Sequence, residues 1–383
     1  MANLYVHIGL PKTGTSAIQK FLAANRSVLQ TKGYCFPDFN IIFEGIAINR
    51  NGHFLIQEYF DDNKNRLLDK EEELVRSCLN KVIKLAGKYP NIIVSDEKLW
   101  RGSKEHDPLF WDKLNKWGQE NNIQIKVIVY LRRQDYFIQS NWGELVKQKS
   151  VHSFIDYVKN EKIRKPELDF YSHLQPIASI LGKENLIVRI YNKEISLIKD
   201  FFSAIDLELT EDFKFEDIVK NTSFVGVYLE VKRLLNRLPE YKEKRSFVLN
   251  LLREIQTEEG KPVHFQGISY FTPEEQKNFM DKFEEGNAAI AREYLNRHDG
   301  ILFEEEDTGE PIPAKYTKEE LVEVCGKVIW LQQKKIENLE KKLGFSKKSH
   351  DKAQNKSPIE AQNEPEIKLS LWEKFRKKIE TNR

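Results

Sequence analysis

The sequence predicts an α/β protein with three layers, in which a central parallel sheet lies between two layers of helices and a helical extension follows at the C-terminus. Three observations predict this. Short apolar runs alternate with stretches that have the 3.6-residue period of a helix. A loop containing Gly, Pro and Thr joins the first apolar run to the first helix. The composition becomes acidic and Pro-bearing near Glu304, which is typical of a linker. Strands that alternate with helices favour a parallel sheet covered on both faces.

The first elements form a strand, a loop and a helix. Residues 4–8 are a short apolar run, which predicts a buried strand. Residues 9–16 follow as a loop, and Ile18, Phe21 and Leu22 then recur at helical spacing.

The later elements continue the alternation up to a fourth strand. The predicted elements are a helix over residues 71–89, a strand over 91–95, a helix over 108–121, a strand over 125–131 and a strand over 186–190. From residue 216 to 295 the patterns are mainly helical.

Patterning and composition divide the chain into five segments. The predicted segments are a domain over residues 1–305, a linker over 306–316, a helical coiled-coil segment over 317–345, a disordered linker over 346–366 and a basic amphipathic helix over 367–383. The coiled-coil seam would consist of Val322, Cys325, Ile329, Gln332, Ile336, Leu339 and Leu343, at spacings of three and four. A helix packed on the domain is the alternative, because about three heptads are marginal alone.

Net charge, cysteine number and the lengths of the apolar runs limit the partners, metal sites and location that we expect for this protein. The net charge of +2 gives no strong field for nucleic acid, so no nucleic-acid partner is expected. Three cysteines lie far apart and are odd in number, which argues against a disulfide framework and against a metal site. We expect a cytoplasmic protein, since no leader and no apolar run of about 18 residues is found. The basic helix over 367–383 would allow a peripheral contact with the inner face of an anionic membrane.

The loop over residues 9–16 has the sequence Gly-Leu-Pro-Lys-Thr-Gly-Thr-Ser. A loop between a strand and a helix favours anion binding, because its N–H groups and the helix N-terminus converge on one point. The nucleotide-triphosphatase form of this loop has Lys directly before Ser or Thr. Thr15 occupies that position here and the lysine is Lys12, so the match to that form is poor.

A second anion site is predicted at the end of the strand over residues 125–131. Arg132 follows the strand, and Ser140 lies eight positions further on. This spacing allows both side chains to converge on one phosphate, which suits the planar donor fork of arginine. Solvated arginines at a strand end are the alternative, and Arg133 is adjacent.

A carboxylate follows the strand over residues 91–95. Glu97 lies just past the strand end, where parallel sheets place ligands, and it is a candidate general base. Asp96 is the competing carboxylate. Neighbours along a strand point to opposite faces, so only one of the two is expected to face the cleft.

These motifs together resemble the PAPS-dependent sulfotransferases, where PAPS is 3′-phosphoadenosine-5′-phosphosulfate. The loop is similar to their 5′-phosphosulfate-binding loop, especially in the glycan and bacterial branches, and the resemblance covers about residues 1–305. It implies a P-loop-like sulfotransferase fold. Arg132 and Ser140 match the family's 3′-phosphate motif, and Glu97-Lys98 matches the catalytic Glu-Lys pair of glycan sulfotransferases. The donor-binding residues implied by the resemblance are Pro11, Lys12, Thr13, Gly14, Thr15, Ser16, Arg132 and Ser140.

The resemblance implies transfer of a sulfuryl group from PAPS to an acceptor hydroxyl, most simply on a glycan, with PAP as the other product and no metal. Lys12 would contact the bridging oxygen between phosphate and sulfate, and Glu97 would deprotonate the acceptor. A P-loop kinase is one alternative. A non-catalytic scaffold that assembles as a homo-oligomer through residues 317–345 is the other.

Overall fold

The structure is a computed structural model of the chain. The structure describes residues 1–160, 168–192, 196–215, 226–239, 241, 244–258, 268–304, 312–313 and 315–343. It divides into two compact units, Met1–Val324 and Cys325–Arg383. The predicted segments over 346–366 and 367–383 lie outside the described residues, as does most of the predicted linker over 306–316.

The first unit is built on a parallel sheet of five strands. They are β1 (Ala2–His7), β2 (Tyr34–Cys35), β3 (Asn91–Ser95), β4 (Ile123–Leu131) and β5 (Leu186–Ile190). Their order across the sheet is β2-β3-β1-β4-β5, and every neighbouring pair is parallel. A two-stranded parallel pair, β6 (Ile268–Ser269) and β7 (Ile312–Pro313), lies apart from this sheet.

Helices connect the strands of the first unit, and one long helix spans the boundary between the two units. The helices below are those of the described residues. They are α1 (Thr15–Ala24), α2 (Arg26–Thr31), α3 (Leu68–Ala86), α4 (Leu99–His106), α5 (Phe110–Glu120), α6 (Gln134–Gln148), α7 (Phe154–Lys159), α8 (Phe170–Leu181), α9 (Leu197–Ala204), α10 (Val227–Leu235), α11 (Arg245–Glu258), α12 (Pro273–Met280), α13 (Glu284–Leu295) and α14 (Lys318–Lys342). Among the described residues, no helix combines the length and the apolar character that a membrane-spanning segment needs.

Both faces of the sheet are covered, which confirms the predicted α/β/α layering. On one face Tyr5, Ile128 and Tyr130 pack with apolar residues of α1 and α9. On the other face α5 approaches β4 closely, and Gly118 of α5 faces Ile125. Because neither face meets water, the strands are apolar nearly throughout and the prediction of buried strands is confirmed.

Predicted and observed strands agree closely where the apolar run is long. The strands over 91–95 and 186–190 have the predicted bounds, and β1 and β4 begin two residues earlier than predicted. The two-residue strand β2 carries too short a pattern to be found from sequence. The carboxyl ends of β1, β3, β4 and β5 lie along one edge of the sheet, and the site residues follow from them.

Candidate functional site

The loop between β1 and α1 turns sharply at three positions. Gly9, Lys12 and Gly14 have positive φ angles of 29°, 69° and 80°. The Thr13 hydroxyl donates to the carbonyl of Leu10 at 2.6 Å and closes the loop from inside. Lys12 is the one of the three that carries a side chain in a conformation L-residues avoid, so the surrounding contacts hold it there.

Gly14 is required by packing as well as by conformation. A Cβ at this position would lie 2.2 Å from Cδ2 of Leu197 and 3.5 Å from Cε2 of Tyr191. Leu197 begins α9 and Tyr191 follows β5, so the loop is seated against elements from the far end of the sheet. The glycine therefore lets the loop approach the end of β5.

The loop residues fit an anionic group. Gly14 is the N-cap of α1, whose first N–H groups have no partner within the helix. Oγ1 of Thr15 is buried and has no hydrogen-bond partner within the described chain. An unpartnered buried hydroxyl beneath a helix N-terminus is the arrangement that a phosphate or sulfate oxygen would satisfy.

Arg132 lies against this loop. Its Nη1 donates to the carbonyl of Lys12 at 3.1 Å, and its guanidinium lies 5.7 Å from the ring centre of Tyr191. Only 8% of the residue is exposed. Arg133 points elsewhere, toward Asp135 and the ring of Tyr136. The two neighbouring arginines are thus separated by structure, and Arg132 is the one beside the loop.

Helix α6 supplies a carboxylate to the loop lysine. Lys12 Nζ lies 2.8 Å from Oε2 of Glu144, and Lys147 Nζ lies 3.4 Å from the same oxygen. Burial acts to raise the pKa of Glu144, but the two lysines outweigh it and hold that pKa below its usual range. Ser140 precedes Glu144 by one helical turn, so the two residues share the face of α6 that meets the loop.

Asp96 and Glu97 have different surroundings at the end of β3. Asp96 is fully buried; its carboxylate accepts from Arg50 at 2.5 and 3.0 Å and lies 3.0 Å from Nδ1 of His53. Burial acts to raise the pKa of Asp96, but the hydrogen bonds from His53 and Arg50 hold it below its ordinary value. Glu97 is partly exposed and accepts one bond from Arg50 at 3.2 Å.

The residues around Arg50 are fixed on the end of β3. Asn51 donates to the carbonyls of Pro37 and Ile93 and accepts from the N–H of Ser95. Gly52 lies so close to the Ser95 backbone that a Cβ would be 3.1 Å from it. Arg50 is therefore held by its own backbone neighbours, independently of its ion pairs.

A cleft lined by apolar side chains and by Arg26, Asp38, Arg50 and Asn51 adjoins the end of β3. It is formed mainly by the irregular segment between β2 and Arg50, together with Arg26 of α2 and with Asn51 and Phe54. Its lining includes Arg26, Phe39, Ile41, Ile42, Phe43, Ile46, Ile48, Arg50 and Phe54. Arg50 lines this cleft and also contacts Glu97, so one side chain joins the cleft to the accessible carboxylate.

His7 is a buried residue beneath the site. Its Nδ1 lies 2.9 Å from Oγ of Ser95, and its ring packs edge-on against Tyr130 and Phe201. Burial lowers its pKa to about 3, although the nearby charge of Asp96 acts in the opposite direction. The imidazole is therefore neutral at ordinary pH.

The structure gathers the sequence-predicted residues in two places along one edge. The first place is the loop, residues 11–16, with Arg132 and the face of α6 that carries Ser140 beside it. The second place is the end of the neighbouring strand β3, where Glu97 lies. Sequence reasoning missed Arg50, His53, Glu144 and Tyr191. Of these, only Glu144 had a signal, because it follows Ser140, a predicted phosphate ligand, by four residues. Arg50 and His53 belong to a segment without periodicity.

Comparison with known proteins gives a relative in sequence and a solved structure that is similar in fold. No protein-family model matches the sequence. An uncharacterized protein of Archaeoglobus fulgidus is 28% identical over 202 residues, which are 51% of this chain and 53% of that protein. The chain thus spans about half the length of the curated relative that it matches. The crystal structure of a sulfotransferase from Alicyclobacillus acidocaldarius is similar in fold, with a TM-score of 0.36 and 14% identity, over 66% of this chain and 96% of that one.

Proposed function

We propose that this protein transfers a sulfuryl group from PAPS to a hydroxyl group of a glycan. The observation that carries the proposal is the hydrogen bond from Arg132 to the backbone of Lys12. It joins the strand-end arginine to the anion-binding loop at the centre of the sheet, where doubly wound folds bind nucleotides. The donor has an anionic group at each end of its ribose, and this arrangement offers a cationic or N–H-rich partner to each.

Each end of the donor has its own set of residues. The loop from Pro11 to Ser16, with the N-terminus of α1, would bind the 5′-phosphosulfate. Arg132 and Ser140 would bind the 3′-phosphate, since Arg132 is buried beside the loop and Ser140 is on the face of α6 turned toward it. The 3′-phosphate is what separates this nucleotide from ATP.

Lys12 would stabilise charge during the reaction. The donor supplies a sulfuryl group whose bond to the bridging oxygen breaks as the acceptor oxygen bonds to sulfur. Negative charge grows on the bridging oxygen, and a lysine aimed at it lowers the barrier. Glu144 now holds the Lys12 ammonium, so the lysine must leave or share that carboxylate to serve the donor.

Glu97 would accept the acceptor proton. It is the carboxylate at the end of β3 that solvent can reach, whereas both oxygens of Asp96 are already occupied by Arg50 and His53. Arg50 would orient Glu97 through its single bond to it. The Glu97-Lys98 pair resembles that of glycan sulfotransferases, and this likeness is what supports a glycan as acceptor.

Calorimetric titration with PAP tests the donor site, with 5′-AMP as the ligand that lacks the 3′-phosphate. We expect PAP to bind more tightly than 5′-AMP. We expect Arg132→Ala to weaken PAP binding by about 10- to 100-fold, the loss of one charge-assisted hydrogen bond of about 1.5–3 kcal/mol. Binding of 5′-AMP should change little in the same variant.

Arg133→Ala is the matched control, because that neighbouring arginine contacts Asp135 and Tyr136 instead. It should leave PAP binding nearly unchanged. A loss of both ligands in Arg132→Ala would mean that the loop itself was damaged. Equal affinity for PAP and 5′-AMP in the unaltered protein would contradict the proposal, and magnesium-dependent turnover of ATP would favour a kinase.

A further inference from the structure

Helix α14 carries an apolar seam along one side. Val322, Ile329, Ile336 and Leu343 follow one another at intervals of seven residues, and Leu339 lies between the last two. These five side chains are between 49% and 69% exposed. Cys325 is also exposed and, with Gln332, completes the alternating spacing of three and four. We call these seven residues the seam.

The seam is distinct from a second apolar face of the same helix. Val324 and Leu331 are buried, and they follow the seam residues Val322 and Ile329 by two positions. Two positions correspond to about 200° around an α-helix, so the buried face and the seam are on opposite sides. Among the described residues, the helix thus has one apolar side that is buried and one that is exposed.

We propose that the seam pairs with the same seam of a second copy of this chain, as a parallel two-stranded coiled coil. In heptad terms Val322, Ile329 and Ile336 occupy the a position, and Leu339 occupies a d position. β-branched residues at a with Leu at d favour two parallel strands. This proposal does not depend on the proposed function.

Charges flanking the seam fix the orientation. Lys335 is at a g position and Glu340 is at the e position five residues later. In a parallel pair g of one helix meets e of the next heptad of the other, so Lys335 and Glu340 of the two copies attract. An antiparallel pair would place g beside g, which brings Lys335 and Lys342 of one copy near lysines of the other. Gln332 at d disfavours shifted registers, because it would then face an apolar layer.

Sedimentation of the full chain tests the pairing. We expect a mass of twice 45.1 kDa at micromolar concentration. The double variant Ile329→Asp with Ile336→Asp should be monomeric, since it places four charges in the seam of a pair. Trp330→Asp is the matched control: Trp330 is equally apolar in character and 70% exposed, but it lies off the seam, so this variant should stay dimeric.

Cysteine cross-linking tests the orientation. In a parallel, in-register pair Cys325 faces Cys325 of the other copy, whereas in an antiparallel pair the two are about 20 Å apart along the axis. Mild oxidation should therefore give a covalent dimer on a non-reducing gel. Cys325→Ser should abolish it, because Cys35 and Cys78 are buried.

Three outcomes would overturn the inference. A monomeric unaltered protein would mean that the seam has another occupant. A dimer that survives the double aspartate variant would mean that the copies pair elsewhere. A dimer that depends on the seam but gives no cross-link through Cys325 would contradict the parallel orientation.

Discussion

Asp96 and Glu97 carry the same functional group, yet their side chains are 0% and 31% exposed. Asp96 balances the positive charge of Arg50, whose own side chain is only 9% exposed. It also accepts the N–H of Lys98 at 2.7 Å, which shapes the turn that follows β3. At the scale of single residues, one carboxylate therefore maintains the structure and the other is available for chemistry.

Exchanging each carboxylate for its amide separates the two roles. Asp96→Asn should lower the free energy of unfolding by about 3–5 kcal/mol, because it leaves a buried arginine without its main partner. Glu97→Gln should change that free energy little. It should instead lower the rate of the proposed sulfuryl transfer by about 10²- to 10⁴-fold, the usual contribution of a general base.

Urea unfolding and a turnover assay check this pair of variants, with PAP affinity as a common control. PAP binding should persist in Glu97→Gln, since the proposed donor site is at the loop. Equal turnover in Glu97→Gln and the unaltered protein would remove Glu97 from the mechanism without touching the donor site.

Among the elements, the loop before α1 was the most predictable. Its glycine, its lysine and its place between a strand and a helix were all evident from the sequence. The positive φ of Lys12 was not evident. The approach of Leu197 to Gly14 was not evident either, because it depends on how α9, about 180 residues further along the chain, packs against the loop. Long-range packing of this kind leaves no local pattern in the sequence.

The contact between Gly14 and α9 can be measured. Gly14→Ala combines a left-handed backbone with a Cβ 2.2 Å from Leu197, whereas Gly45→Ala has the same backbone and no atom within 4 Å. Gly45→Ala should cost about 1–2 kcal/mol of unfolding free energy. Gly14→Ala should cost a further ~1–3 kcal/mol, the range seen for overpacking.

A double-variant cycle in urea unfolding gives the decisive comparison. Leu197→Ala should be less destabilising when Gly14 is already Ala, because the shortened side chain makes room for the new methyl group. If the two changes in the free energy of unfolding were strictly additive, the new methyl group would not contact Leu197, and the loop would have shifted away from α9.

At the scale of the whole molecule, the order of elements could be predicted and the assembly of the site only in part. Alternating apolar runs determine a parallel sheet, and parallel strands bring their carboxyl ends to one edge. Residues 11–16, Arg132 and Glu97 all follow strands, so their general location was implied. Arg50 and His53 do not directly follow a strand; an irregular segment brings them to the edge of the sheet. Such a segment has no periodic pattern or motif from which its position could be predicted.

The charge state of His7 links the centre of the sheet to the stability of the whole protein. In the unfolded chain its pKa is about 6.5, and in the folded chain burial lowers its pKa to about 3. Between these values the unfolded state binds a proton that the folded state does not. Stability contributed by neutral His7 is therefore complete above about pH 6.5 and is lost as the pH falls toward 3.

Urea unfolding between pH 4.5 and 7.5 measures this linkage. In the lower part of that range His7 alone should reduce the free energy of unfolding by about 1.4 kcal/mol for each unit of pH decrease. His7→Gln should remove that part of the slope, whereas His152→Gln, at an exposed position, should leave the slope unchanged. Asp96 adds to acid sensitivity only near and below about pH 4, since its folded pKa lies below its ordinary value.

A His7→Gln variant with the slope of the unaltered protein would mean that the folded core accepts a charged imidazole. Water would then reach the imidazole in spite of its contacts with Ser95, Tyr130 and Phe201.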